Sequence, residues 1–490
     1  MTSDPASVPR FARGFALSDQ PIDRPVPDWT TREVAGLRLV HAPDIRVAGA
    51  RSDQHFAVVI GQFIDTETWR PHDDAITAAV DALTRSEDRF FDVTDTWSGR
   101  YLVVYGTNAS RRVMTDASGM RSAFYSLDGR FVVASHARLV AIVTGAPRSP
   151  ISAEYQTCVR ALRSRLVMPM PGRSTPWSGV VFLTPNQVLD VETRALRRAF
   201  PRRALPVLTT AAAAALIAPR LQGQVTALVN TGRPVVLSLT GGVDSRVSLA
   251  ASRPVRDAIT YFTYRRPGTA GTDADVTTAG SIARAHRLPH RVLEVAASAE
   301  PSPLDAAIRE ATFLSHGRQI IAEYRRSFTP DSIHIRSNVS GVAKCFYRSK
   351  PLGAAVSESA DQISAELLAR LWAHSAPSQP LIDAFEDWME ATRFRDVQGL
   401  DPLDVFYWEH RMGCWHSNVV LESDFAFDTH VLFNSRSILQ LMLAAPAKDR
   451  SSGALFRQVV SILWPELLRW PMGKRSLRSQ VASMRRRWRP

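Results

Sequence analysis

The pattern of apolar positions changes near residue 205. Before it, short apolar runs recur between turn residues, at positions 58–63, 97–105, 112–116, 123–126 and 130–135. Runs of this length bounded by turn-forming residues predict strands of a layered sheet domain. Helical stretches are expected between them at 75–83 and 152–165. After it, an alanine-rich stretch at 209–229 predicts a helix. A buried strand then opens at Pro234-Val235-Val236 and ends in a glycine turn. Further strands are expected at 258–264, 291–295 and 332–336. Strands alternating with helices imply a parallel sheet covered on both faces. Residues 367–445 read as helical and aromatic-rich, and 464–471 as apolar packing. The stretch 200–206 is basic and punctuated by proline, which marks a linker between domains at 1–205 and 206–490.

The chemistry concentrates at residues 237–246, Leu-Ser-Leu-Thr-Gly-Gly-Val-Asp-Ser-Arg. Glycines let a backbone approach an anion, and the start of the next helix offers unpaired N–H groups. Thr240 and Ser245 add hydroxyls, while Asp244 would repel a phosphate unless Mg²⁺ sits between them. Two readings stand here: a nucleotide site holding metal-bound pyrophosphate, or a tight turn with Asp244 as helix cap. The Walker A and Gly-x-Gly-x-x-Gly patterns are both absent. On a parallel sheet the ligand lies beyond the carboxyl ends of the strands. Ser238, Thr240, Gly241, Gly242, Val243, Asp244 and Ser245 would then hold phosphates, with backbone near Thr263 at the base.

Thr240-Gly241-Gly242-Val243-Asp244-Ser245 resembles the pyrophosphate loop of the ATP pyrophosphatases, in particular of asparagine synthetases. The resemblance extends to Asp275, Ala279, Ala283 and His290, at offsets of zero, four, eight and fifteen. In the first half, Gly99-Arg100-Tyr101, the segment from Asp116 through Gly119 to Tyr125, and Pro185-Asn186-Gln187-Val188-Leu189 resemble the family's glutaminase domain, with Asn186 in place of a glycine. The implied fold is an α+β N-terminal Ntn-type layered sandwich. It is followed by an α/β doubly wound parallel-sheet ATP pyrophosphatase domain with a helical C-terminal part. The implied activity is ATP-dependent amide formation: a carboxylate is adenylated and then attacked by ammonia or an amine. β-Lactam synthetase and the lasso-peptide cyclases share this plan. The implied cofactors are ATP and Mg²⁺, with Asp244 as metal ligand and Asp275 in the nucleotide site.

Several family positions are altered. The glutaminase nucleophile is a cysteine following the initiator methionine; this chain reads Met1-Thr2-Ser3, so loss of glutamine hydrolysis is expected. Aligned on Tyr347, Asn338 stands where the resemblance implies a glutamate and Gly341 where it implies a second metal-binding aspartate. Gly453 stands where it implies a pyrophosphate-binding lysine, with Arg457 matching further on. Glu422-Ser423-Asp424 through Asp428 matches a segment lining the acceptor pocket, with Asp424 replacing arginine. Arg336 and Lys344 are new cations near the missing acids and are candidate catalytic residues beside Asp244. A catalytically degenerate nucleotide- or partner-binding homologue is the alternative reading.

At 490 residues with 45% apolar and 22% charged residues, the chain can bury two cores. Cys158, Cys345 and Cys414 are too dispersed for a disulfide framework or zinc site. No uninterrupted apolar run reaches the roughly 18 residues of a membrane span, and no secretory signal is visible. A cytoplasmic location is expected. The net charge of +13 is concentrated after Trp470, in Lys474, Arg475, Arg478, Arg485, Arg486, Arg487 and Arg489. Such a tail suits nucleic acid, anionic lipid or plain solvation; solvation is the expectation, and nucleic acid is not an expected partner. Expected partners are a small-molecule or peptide carboxylate and an ammonia or amine donor, and assembly into a homo-oligomer is compatible with the sequence.

Overall fold

The computed structural model describes residues 8–161, 169–266, 269–296, 301–313, 317–356, 359–373 and 376–472. Thr2 and Ser3, the end of the helix expected at 152–165, and the basic tail from Lys474 lie outside the described residues. The first half supplies β1 (Phe15–Ser18), β2 (Thr30–Val34), β3 (Leu37–His41), β4 (Val47–Arg51), β5 (Phe56–Asp65) and β6 (Trp97–Thr107). It continues with β7 (Ser110–Thr115), β8 (Phe124–Ser126), β9 (Val132–Ala134), β10 (Val180–Phe182), β11 (Gln187–Asp190) and β12 (Leu196–Arg198). They form two antiparallel sheets, in the orders β10-β8-β9-β1-β3-β2 and β12-β11-β7-β6-β5-β4.

Alternation along the strands sorts these residues into layers. Phe15, Leu17, Leu37 and Leu39 meet Phe56, Ile60, Leu102 and Val104 between the sheets. The intervening Ala57, Val59, Tyr101 and Val103 face outward onto the helices His72–Leu83 and Glu87–Thr94. Ala16, Val40, Phe124 and Val132 cover the helix Ala137–Thr144 on the opposite side. The result is helix, sheet, sheet, helix. Asn186 adopts φ +66, the left-handed conformation that a glycine would favour and asparagine tolerates.

The second half forms a five-stranded parallel sheet of β13 (Val235–Ser238), β14 (Ile259–Arg265), β15 (His290–Glu294), β16 (Ile333–Arg336) and β17 (Asp428–Val431). Its order is β15-β14-β13-β16-β17. The chain therefore winds outward from β13, crosses back, and winds the other way from β16. Val235 and Leu237 pack with Ile217, Val247 and Val459 of the helices Thr210–Val229, Val243–Ala251 and Ala454–Leu463. Val236 faces the other side, among Ile308, Ile320 and Tyr324 of the helices Pro303–Ala311 and Arg318–Ser327. Both faces are covered, as expected of a parallel sheet. β17 interrupts the stretch 367–445 expected to be helical; pairing with β16, rather than local preference, makes these four residues a strand.

No helix or strand occupies residues 199–209, and the halves close on one another through buried polar contacts. Arg100 on β6 binds Asp424 with two hydrogen bonds of 2.7 and 2.8 Å, and Arg121 lies 3.6 Å from the same carboxylate. Arg198 pairs with Glu409 at 2.6 Å. Asp116 accepts N–H groups from Met120 and Arg121 in its own turn and the Asn434 side-chain amide across the seam. Trp408 donates its indole N–H to the Ala117 carbonyl. Removing one member of a buried ion pair strands the other charge, typically at a cost of 3–5 kcal/mol. Asp424→Asn, which leaves Arg100 and Arg121 facing a neutral amide, is expected to lower unfolding free energy by about 3 kcal/mol in a denaturant titration.

Burial pushes His136 and His410 down to about 3 and His430 to about 4. In the unfolded chain each takes up a proton near pH 6.5, whereas the folded chain excludes it. Stability is therefore expected to hold above about pH 6.5 and to fall as pH drops toward about 4, by at most about 1.4 kcal/mol per pH unit for each histidine. Denaturant midpoints measured across that range check the slope.

Candidate functional site

β13 ends at Ser238, which is in register with Phe262 of β14, and the chain turns through Thr240–Gly242 into the helix Val243–Ala251. Thr240 and Ser245 were expected to offer hydroxyls to a ligand. In the fold they hold the turn: their oxygens lie 2.9 Å apart, Ser245 Oγ accepts the Thr240 N–H at 3.1 Å, and Thr240 Oγ1 accepts the Gly242 N–H at 3.1 Å. The Gly241 N–H donates to Asp275 Oδ1 at 2.8 Å. Asp275, on the helix Ala270–His286, thus fixes the turn from below. Its carboxylate leaves little room beside Gly241, where a Cβ would lie 3.3 Å from it. Thr263 is buried, and its hydroxyl is used within the sheet, donating to the Leu239 carbonyl at 2.7 Å and lying 2.9 Å from His290 Nε2. Burial pulls the His290 imidazole below its ordinary value.

Gly242 precedes the helix, and no side chain caps it. Asp244 sits inside the first turn beyond Val243 and is not the cap, which decides against that reading of the carboxylate. Its Oδ1 turns toward the segment after β16, accepting the Ser340 hydroxyl at 2.8 Å and pairing with the Lys344 ammonium. Ser340–Lys344 is a single tight helical turn. It is bracketed by Val339 at φ +73 and Cys345 at φ +51. A β-branched residue with positive φ is a strained backbone held by its surroundings. Ser337 helps to hold it, its hydroxyl 2.8 Å from Ser248 on the helix Val243–Ala251. Lys344 also lies over the Phe456 ring, 5.3 Å from its centroid.

Arg336 ends β16 but does not join Lys344. It donates to the Ser423 hydroxyl at 2.9 Å, and burial lowers its pKa. Of the two candidate cations, Arg336 meets Ser423 and Lys344 meets Asp244. Asn338 is exposed. Glu422 accepts the Gly317 N–H at 2.7 Å, and Asp424 belongs to the domain seam rather than to an acceptor pocket. Gly453 adopts φ +74 at the head of the helix Ala454–Leu463, a conformation unfavourable to lysine.

The residues do not fit a protein-built Mg²⁺ centre on Asp244. Its Oδ1 is shared by Lys344 and Ser340, Asp275 is engaged by Gly241, and Gly341 offers no carboxylate. A Cβ at Gly341 would meet the Tyr407 hydroxyl, so a side chain there requires that ring to shift. Among the described residues no group of three or more His, Cys, Asp or Glu side chains could hold a metal ion. Ser340 and Tyr407 were missed from sequence. Ser340 stands four residues before Lys344 in a segment scanned for acids, and nothing near Tyr407 points 66 residues back to Gly341.

No protein-family model matches this chain, and no curated protein matches it. Among solved structures it is similar to a glutamine phosphoribosylpyrophosphate amidotransferase from B. subtilis complexed with ADP and GMP. Identity is 10%, coverage 68% of this chain and 72% of that chain, and the TM-score 0.23. It is similar, at 9% identity and the same TM-score of 0.23, to a structure described as the allosteric regulatory enzyme of purine biosynthesis, covering 68% of this chain and 71% of that one. Superpositions this loose leave the fold to be read from the strand order and layers above.

Gly341→Ala is expected to destabilise the fold by about 1–3 kcal/mol through overpacking against Tyr407. Urea unfolding of this variant beside the wild type measures that cost.

Proposed function

We propose that this chain is an ATP-dependent amide-forming ligase of the asparagine synthetase type, active in the cytoplasm and not hydrolysing glutamine. The observation that carries the reading is the helix N-terminus at Val243. No side chain caps it, it follows a Thr-Gly-Gly turn, and it opens where β13 and β16 lie side by side and the winding of the sheet reverses. Crevices at such reversals are where open α/β sheets bind ligands. A helix N-terminus there suits phosphate.

In the proposed reaction a carboxylate oxygen of the substrate attacks the α-phosphorus of ATP. The α–β phosphoanhydride bond breaks, pyrophosphate leaves, and an acyl-adenylate remains. Ammonia or an amine then attacks the acyl carbon, AMP departs, and the amine's surplus proton passes to solvent. The first-turn N–H groups and the Lys344 ammonium are placed to hold the negative charge that gathers on pyrophosphate. Mg²⁺ belongs to this reading only as the companion ion of the nucleotide phosphates.

Glutamine hydrolysis is left out because the thiols are poorly suited to it. Burial raises the pKa of Cys158, pushes Cys345 up to about 11 and Cys414 up to about 12, which keeps them from the nucleophilic thiolate form. Among the described residues no helix is long and apolar enough to cross a membrane.

The alternative, a nucleotide- or partner-binding homologue without catalysis, draws on the exposed Asn338 and the Tyr407 hydroxyl against Gly341. Exchange of labelled pyrophosphate into ATP, run over a panel of carboxylates, separates the two. The ligase reading expects exchange with at least one carboxylate, reduced to background by Asp244→Ala in protein whose thermal transition is intact. ATP binding without exchange across the panel would favour the alternative.

A further inference from the structure

A polyphosphate seated at the Val243 helix terminus meets Asp244 in the first turn. The repulsion has to be relieved by a cation between them. Divalent ions do this in many phosphate sites, but here the chain brings its own positive charge to that carboxylate. Lys344 pairs with Asp244 Oδ1, and an ammonium has three N–H donors, so one such contact leaves others to serve a phosphate. Its side chain is 28% exposed and that of Asp244 36%, so the pair lies within reach of a ligand.

The position of Lys344 is fixed rather than incidental. Ser340 ties the same turn to the same carboxylate oxygen. Ser337 meets Ser248 one helical turn further along. The Phe456 ring lies beneath the ammonium, and the Tyr407 hydroxyl abuts Gly341. The neighbouring cations are committed elsewhere. Arg336 donates to Ser423, and the buried Arg246, two residues after Asp244, donates to the Leu467 carbonyl at 2.9 Å.

We infer that Lys344 is the resident cation of the phosphate site: its ammonium neutralises Asp244 and contacts the polyphosphate directly, so that nucleoside triphosphate binds without depending on a divalent ion. This rests on the nucleotide reading of the same turn and makes a separate claim about it. Gly341, where the resemblance implies a second aspartate, carries no carboxylate, and Lys344 supplies in its place the positive charge that a metal held there would have brought.

Calorimetric titration of the full chain with ATP, in magnesium buffer and in EDTA, tests this for the wild type, Lys344→Met and Lys344→Arg. Chelation is expected to shift the wild-type Kd by less than about tenfold. Lys344→Met is expected to weaken binding in EDTA by about 10- to 100-fold, the scale of one charge-assisted hydrogen bond, with part of the loss restored by magnesium. Lys344→Arg keeps the charge and stays near the wild type in EDTA, which preserves the test if the methionine variant is poorly folded. Wild-type binding that vanishes in EDTA, or a folded Lys344→Met indistinguishable from wild type there, overturns the inference while leaving the nucleotide site standing. Folded wild type that binds ATP in neither buffer overturns the nucleotide reading itself.

Discussion

The register of β13 against β16 is the constraint from which the site follows. Val235 lies opposite Ile333 and Leu237 opposite Ile335, in parallel. Adjacent strands lie roughly 5 Å apart, so the segments leaving their carboxyl ends emerge side by side. The chain between them runs out through β14 and β15 and returns across one face of the sheet in the helices Pro303–Ala311 and Arg318–Ser327, which is why residues as distant as Asp244 and Lys344 meet. Neither residue needs a local signal to find the other. The sheet aligns them, and the turns after each strand choose which atoms touch.

That sheet is braced by the other half of the chain. Asp424 and Asn434 lie on either side of β17, and each is gripped by the antiparallel sandwich, through Arg100 in one case and Asp116 in the other. β17 in turn pairs with β16 along its whole length. The first half therefore supports the edge of the sheet that positions the Ser340–Lys344 turn. These contacts give the sandwich a structural role beside the parallel sheet. Buried ion pairs suit such a role, because a small shift of one body against the other would leave desolvated charges unpaired.

Much of this architecture was legible in the residues. Long apolar runs such as 58–63 and 97–105 became β5 and β6, and the strand–glycine–helix sequence around Thr240 was read correctly as a turn entering a helix. Strands with little apolar content were not legible: β2 reads Thr-Thr-Arg-Glu-Val and is exposed over most of its length, so no alternation announces it. β17 was hidden because its strand character comes from a neighbour remote in sequence. Within the site, residue types were easier to foresee than directions. Arg336 and Lys344 were both recognised as unusual cations, but only the fold turns one toward Ser423 and the other toward Asp244. The bond between the Thr240 and Ser245 hydroxyls was not legible either, because sequence does not reveal that two hydroxyls five residues apart meet.

The energetics of the Lys344 turn separate a scaffold from a site. A partly exposed ion pair contributes about 0–1 kcal/mol to stability, and both partners here are partly exposed. A non-glycine residue held in a sparsely populated backbone region costs on the order of 1–3 kcal/mol, and Val339 and Cys345 both lie at positive φ around this turn. The segment therefore spends more conformational energy than its ion pair returns to folding. Burial of Val339, Val342 and Ala343 in the core of the second half, at about 1.5–3 kcal/mol for a fully buried valine, offsets that cost. The turn is thus held by its buried side chains, and the Lys344 ammonium that it presents to Asp244 adds little to that hold.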